Sequence, residues 1–362
     1  MSAGADLRPP VHALGVLSRA GRVAGLLLAA VLTVAACTSS TPAAAPTASS
    51  GNSGPANGLE AQYEQVIQSV LPSVVEIRSS TGLGSGVVYN DKGDIVTNAH
   101  VVGADRTFQV LSSGSAGPQP ASLVGSFPAN DLAVIRMTGA QSLKPATFGD
   151  SSAVRVGQIV LAMGNPLGLQ ATVTNGIVSA TGRTVTESST PGSPGATLPD
   201  AIQTSAPINP GNSGGALVDL NHNVVGIPTL AAVEPQAGAA APGIGFAIPS
   251  NQVKRIADQL VATGTVTDSG RAALGVRVTT VINQQSQPQG AGVVQVTPGG
   301  AAAAAGIRPG DVIVSVNGQD TPTTEALGAV LAGLKPGQTV PVVIQRGGSQ
   351  NKVQVTLGEL GG

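Results

Sequence analysis

The 362-residue sequence has no tryptophan, one cysteine and three histidines, and its aromatic (2%) and charged (10%) residues are scarce. A single cysteine excludes an internal disulfide, an iron–sulfur cluster and a thiolate zinc site. His12, His100 and His222 leave few places for imidazole chemistry. With 18 Lys+Arg against 19 Asp+Glu, the formal net charge is −1. No basic field exists to hold a phosphate backbone, which argues against a nucleic-acid partner. No GxxxxGK[ST] run occurs, and the residues suggest neither a cofactor nor a metal. What is abundant is Gly (49) and Pro (26), a mix that favours short strands joined by turns over long charged helices.

Arg8, Arg19 and Arg22 precede an uncharged apolar run from Val23 to Ala36. That run is shorter than the roughly 20 residues that span a bilayer. A positive start, a short apolar core and small residues at its end predict an export signal over 1–36. The run stops at Val34-Ala35-Ala36-Cys37, which resembles a bacterial lipobox. The resemblance implies that Cys37 is acylated, becomes the first mature residue and anchors an extracytoplasmic protein to a membrane. Residues 37–58 are nearly all small or polar and cannot offset their ordering entropy by burial. They are expected to form a mobile tether with a reach of about 25 Å.

Leu59, Tyr63, Val66, Ile67, Val70 and Leu71 follow a helical spacing that Pro72 ends. Short apolar runs separated by turn residues then follow, such as Val74–Ile77, Asp94–Thr97, Leu132–Ile135, Ile159–Met163 and Val173–Val178. Asn90-Asp91-Lys92-Gly93 is a hairpin signal. The pattern predicts a mainly β unit over 59–264, barrel or sandwich. It closes on a helix that Ser250 caps and Gly264 stops. A polar linker, 265–270, leads to a second unit over 271–360 with five strands and a helix at Thr324–Leu334. The string Gly82-Leu83-Gly84-Ser85-Gly86 is no nucleotide fingerprint, because a hairpin rather than a helix follows it. It reads as a tight strand entry.

The segment Gly211-Asn212-Ser213-Gly214-Gly215 sets one hydroxyl among residues with almost no side-chain bulk. In acyl transfer, Ser213 Oγ would attack, and an oxyanion hole along Gly211, Asn212 and Ser213 would hold the developing charge, through the Gly211 and Ser213 N–H groups. Serine needs a base. His12 lies in the leader, and His222 sits in the polar turn Asn221-His222-Asn223. His100 ends an apolar strand, where burial fixes its rotamer, and is the favoured base. Asp131, directly before Leu132-Ala133-Val134-Ile135, is the favoured carboxylate, with Asp105 and Asp94 as weaker candidates.

The order His100…Asp131…Ser213 is the chymotrypsin order rather than that of α/β-hydrolases. Thr97–Val102, Asn130–Val134, Gly164–Gly168, Thr174–Ala180, Gln203–Leu217 and Gly245–Pro249 together resemble the HtrA/Deg serine proteases, from about residue 73 to 262. The resemblance implies a trypsin-like double β-barrel and ATP-independent cleavage of unfolded or damaged exported proteins. Residues 271–360 resemble the family's small α+β PDZ domain, through Val293–Gly300 and Ala305–Ile313. That implies capture of peptide C-termini, with Leu274, Gly275 and Val276 as the carboxylate loop. It also implies a homotrimer.

By the same carry-over, the substrate pocket involves Pro207, Ile208 and Ile227, while Thr229, Leu230 and Ala231 pair with the substrate backbone. None is charged, so cleavage after small or medium aliphatic residues is expected. Asn212 stands where trypsin-like zymogens carry Asp, Ser205 where many relatives have Asp, and Pro228 where many have Asn. The loops Thr186–Pro199 and Ala231–Pro242 are expected to be mobile and to gate the site. The rival reading is a catalytically silent holdase or scaffold that binds peptides; a lipase is disfavoured by chain order. For the leader, a Cys37→Ala chain should be released free or remain unprocessed, read by membrane partition and mature mass; unchanged partition and processing would reject lipidation.

Overall fold

The structure, a computed structural model, describes residues 55–80, 82–113, 115–139, 143–165, 172–187, 196–209, 211–233 and 240–361. The expected export signal, Cys37, most of the tether and Pro166-Leu167-Gly168 lie outside the described residues. The first helix, α1 (Pro55–Val70), begins inside the stretch expected as tether. Proline is tolerated in a first helical turn, where its missing N–H has no partner to lose. Val66 and Val70 bury the helix's apolar stripe.

Twelve strands then close two barrels. The first holds β1 (Val74–Arg78), β2 (Leu83–Val88), β3 (Asp94–Thr97), β4 (Thr107–Leu111), β5 (Gln119–Phe127) and β6 (Leu132–Met137), in the order β1-β2-β3-β6-β5-β4. The second holds β7 (Ile159–Gly164), β8 (Thr172–Glu187), β9 (Ala196–Thr204), β10 (Ala216–Asp219), β11 (Val224–Val233) and β12 (Ala240–Pro249), in the order β10-β11-β12-β9-β8-β7. Closure gives every strand a neighbour on each side, although β10 covers only the start of β11. The apolar runs lack alternation because both faces are covered. Along β3 and β6, Ile95, Ala133 and Ile135 fill the first barrel, while Val96, Leu132 and Val134 face the seam. There they meet Leu161, Met163, Ala216, Val218 and Ile227 of the second barrel. The closing helix α3 (Ser250–Thr263) adds Val253, Ile256 and Leu260 to this seam.

Several expectations are corrected. His100 does not end a strand: after β3 the chain turns into one short helix, α2 (Ala99–Val102). Ser250 does not cap α3 by accepting from its backbone; its Oγ donates to Gly149 O at 2.8 Å. Gly264 does stop the helix, at φ 76°, donating to Leu260 O. The ends of both supposedly mobile loops are strand: Thr197 and Leu198 pair with Thr186 and Val185, and Leu198 is fully buried. Residues 188–195 and 234–239 lie outside the described residues.

The linker 265–270 is fastened rather than free. Val266 joins the seam core. Gln259 Oε1 accepts from the N–H groups of Thr267 and Asp268, and Ser269 Oγ donates to Leu360 O at 2.6 Å. Beyond it come β13 (Ala272–Ala273), β14 (Val276–Ile282), β15 (Pro288–Val296), α4 (Ala301–Ala304), β16 (Val312–Val316), β17 (Gln319–Asp320), α5 (Thr324–Ala332), β18 (Thr339–Arg346), β19 (Ser349–Thr356) and β20 (Gly358–Glu359). The main sheet runs β14-β15-β16-β18-β19, with β14 at its edge, and β13 pairs with β20. Its core is separate, built on residues such as Val293, Ile313, Val340 and Val355.

Asp311 ties the loop before β16 to β18. Its carboxylate accepts from Arg346 Nε at 2.6 Å and Nη2 at 2.7 Å, and from Arg308 N–H at 2.8 Å. The Arg346 guanidinium, foremost, holds it below the usual carboxylate range. A depressed folded pKa gives stability that is complete above the unfolded value, about 3.9, and is lost as pH falls through the folded value. Asp311→Asn should therefore lower unfolding free energy by about 1–3 kcal/mol at pH 7. Denaturant melts should show that gap closing on acidification below pH ~4; a pH-independent gap would refute the assignment.

Candidate active site

Asp131 closes a 3-10 turn, Pro128–Asn130, and adopts a left-handed conformation at φ 50°. Asparagine and aspartate tolerate this region best. The turn points the side chain inward, leaving the residue 3% exposed. A buried carboxylate must be hydrogen-bonded throughout. His100 supplies its backbone N–H to Oδ1 at 3.0 Å and its ring Nδ1, 2.9 Å from Oδ2. Thr229 Oγ1 donates to Oδ2 across the seam. Asn98 Nδ2 holds the Asp131 carbonyl at 3.0 Å. His100 keeps 26% of its side chain exposed, so its ring has its Nδ1 edge on the carboxylate and access to solvent.

Thr229 also reaches the serine. Its carbonyl accepts from Ser213 Oγ at 3.2 Å, so one residue of β11 touches both the carboxylate and the hydroxyl. The structure thus brings His100, Asp131 and Ser213 to one place at the seam. Gly214 must be glycine there: at φ 79°, a Cβ would lie 2.2 Å from Ser85 O and 2.4 Å from Thr97 Oγ1. The rival candidates are occupied elsewhere. Asp105 accepts from Ser80 N–H and Oγ, which hold its carboxyl below the usual range. Asp94 is bound by Arg136 and Asn90. His222 lies in a turn at φ 67°, beyond Asp219.

The expected oxyanion set is trimmed. Asn212 is buried; its N–H donates to Asn209 O at 3.0 Å and its Nδ2 to Pro207 O at 3.2 Å. Its backbone N–H is thereby taken up inside the loop. Ile227 is likewise no pocket residue, because its side chain is wholly buried in the seam core. Ile208 is packed inside the second barrel against Gly245, where a Cβ would sit 2.4 Å from Ile208 Cγ1. Pro207 is exposed, and its carbonyl anchors Asn212 and Thr174. Leu230 and Ala231 pair with Phe246 and Gly245 on one side, while β10 reaches only as far along β11 as Gly226. Pro228, lacking an N–H, sits where the β11–β12 register shifts, and its carbonyl accepts from Gly214 N–H. Ser205 Oγ accepts from Ile177 N–H at 3.0 Å.

Arg271, from the second unit, lies behind the carboxylate turn. It is 9% exposed, donates to Ala129 O, and reaches Asn130 Oδ1 at 2.7 Å. Burial pushes its pKa down to about 10. Sequence reasoning passed over both Arg271 and the contact of the Thr229 hydroxyl with Asp131. In the second unit, the Leu274 side chain belongs to the core. The Leu274 and Gly275 carbonyls accept from Ala302 and Thr297, turning the N–H groups of Gly275 and Val276 the other way. That loop borders a cleft of about 570 Å³ between β14 and α5, lined by Val276, Val278, Leu327 and Leu331.

The family described as trypsin-like peptidase domain matches residues 84–227, and that described as PDZ domain matches 272–357. The chain is 43% identical over 324 residues to the serine protease PepD of Mycobacterium tuberculosis, covering 84% of this chain and 68% of that protein. It is 41% identical over 283 residues to the periplasmic serine endoprotease DegP of Escherichia coli K12, covering 76% of this chain and 56% of DegP. The crystal structure of a serine endoprotease from Yersinia pestis superposes with a TM-score of 0.54 at 35% identity, over 82% of this chain and 98% of that one. Thr229→Val, which removes the hydroxyl from Asp131, should lower kcat at least 10-fold, the loss expected for a hydrogen bond to a charged group. Thr229→Ser should retain it. Steady-state peptide hydrolysis decides, and an unchanged kcat in Thr229→Val would refute the orienting role.

Proposed function

The chain belongs to the HtrA/DegP-type serine endopeptidases that carry a PDZ domain, and from that premise we propose that His100, Asp131 and Ser213 perform its chemistry on exported polypeptides. His100 takes the proton from Ser213 Oγ as the oxygen attacks the scissile carbonyl carbon. The N–H groups of Gly211 and Ser213 hold the resulting oxyanion. The C–N bond then breaks, and the amine leaves with the proton that His100 returns. Water attacks the acyl-enzyme by the same route in reverse, restoring Ser213. Asp131 stays ionised and keeps the imidazole in the tautomer with its proton on Nδ1.

The observation that carries this reading is the hydrogen-bonded line His100–Asp131–Thr229–Ser213. The uncovered length of β11 beyond Gly226 supports pairing of substrate backbone with Thr229–Ala231. The uncharged, exposed Pro207 favours small or medium aliphatic residues before the cut. The edge strand β14 and its apolar cleft support capture of peptide C-termini through Gly275 and Val276. The names of the relatives, periplasmic among them, support action outside the cytoplasm, and unfolded or damaged proteins are the substrates we propose there. Family likeness also favours a homo-oligomer.

Ser213→Ala should abolish hydrolysis and labelling by a fluorophosphonate, whose P–F bond the serine oxygen would displace, while circular dichroism stays unchanged. Wild-type chain that binds unfolded protein yet takes no label and cuts no peptide would instead identify a holdase.

A further inference from the structure

The glycine-rich string at the start of β2 does more than open a strand. Ser85, in its middle, is wholly buried. It belongs to the first barrel by pairing with Glu76 of β1, yet its polar groups reach into the second. Its N–H donates to Ser213 O at 3.0 Å. Its Oγ donates to Gly211 O at 2.5 Å and accepts from Asn165 N–H at 2.8 Å. Its carbonyl accepts from Thr97 Oγ1 at 2.7 Å. One residue therefore links β3, the end of β7 and the nucleophile loop.

The contact at Gly211 is the informative one. The Gly211 carbonyl and the Asn212 N–H belong to the same planar peptide. Ser85 Oγ holds the oxygen end, and Asn209 O holds the nitrogen end. Gly211 sits at φ 111°, a region open to glycine alone, so nothing in its own backbone sterics would keep this peptide from rotating. Gly164 makes room for the arrangement, because a Cβ there would lie 2.6 Å from Gly211 O.

We propose that Ser85 is a positioning residue for peptide hydrolysis, its hydroxyl clamping the Gly211–Asn212 peptide so that the oxyanion donors stay aligned on the substrate. Without the hydroxyl, Gly211 O and Asn165 N–H lose their shared buried partner, and the peptide turns to find another. The inference rests on Ser213 being the nucleophile.

Ser85→Ala should lower kcat about 10- to 100-fold, less than outright removal of an oxyanion donor, with KM within about two-fold. The inhibition constant of a peptide boronate, which mimics the tetrahedral adduct, should rise in parallel with the loss in kcat. Ser85→Cys, a near-isosteric and weaker donor, should fall between. A folded Ser85→Ala whose kcat is unchanged, or whose KM rises as far as kcat falls, overturns the proposal. If Ser85→Ala does not fold, Ser85→Cys is judged by the same split. Wild-type chain that takes no fluorophosphonate overturns the nucleophile assignment instead.

Discussion

The buried carboxylate of Asp131 sets the terms for the protease half of this molecule. A charge taken out of water must be met by donors, or the group neutralises instead. Here the donors come from both barrels: His100 from the first and Thr229 from the second. The barrels can satisfy that charge only when docked in one orientation. Apolar packing along the seam supplies the area, but such contacts are non-directional. The carboxylate supplies the direction.

The same seam explains why small residues crowd the loop that carries Ser213. Gly214 and Gly164 each lie where a single added carbon would strike backbone. The loop is laid against β2 and β7 with no layer of side chains between. The abundance of glycine noted at the outset is thus partly compositional and partly a set of close approaches. Only the second kind bears on chemistry.

Much of this was legible from residue order alone. Turn residues at Asn90–Gly93 and short apolar runs announced the strands, and the local settings of Asp131 and Ser213 marked them as candidates. What escaped reading depended on tertiary partners. That His100 lies in a helical turn goes with a tertiary partner, since its backbone N–H donates to Asp131, and its neighbours do not announce it. Asn212 looked like an oxyanion donor because of its place in the loop, but Asn209 O claims its N–H. Ile227 was placed in the pocket by family carry-over, whereas its side chain is buried in the seam core. Polar residues 264–270 resembled a linker, since composition does not reveal that Gln259 and Val266 pin them down.

That pinned segment bears on where the protease ends as a physical object. A chain stopped at Gly264 would keep all twelve barrel strands yet lose Val266 from the seam core and the guanidinium that covers Ala129 and Asn130. The turn presenting Asp131 would then lose that cover and keep its packing against β9, β6 and α2. By its contacts, the protease half extends through Arg271, and its last buried side chain is borrowed from the residue that opens the PDZ half.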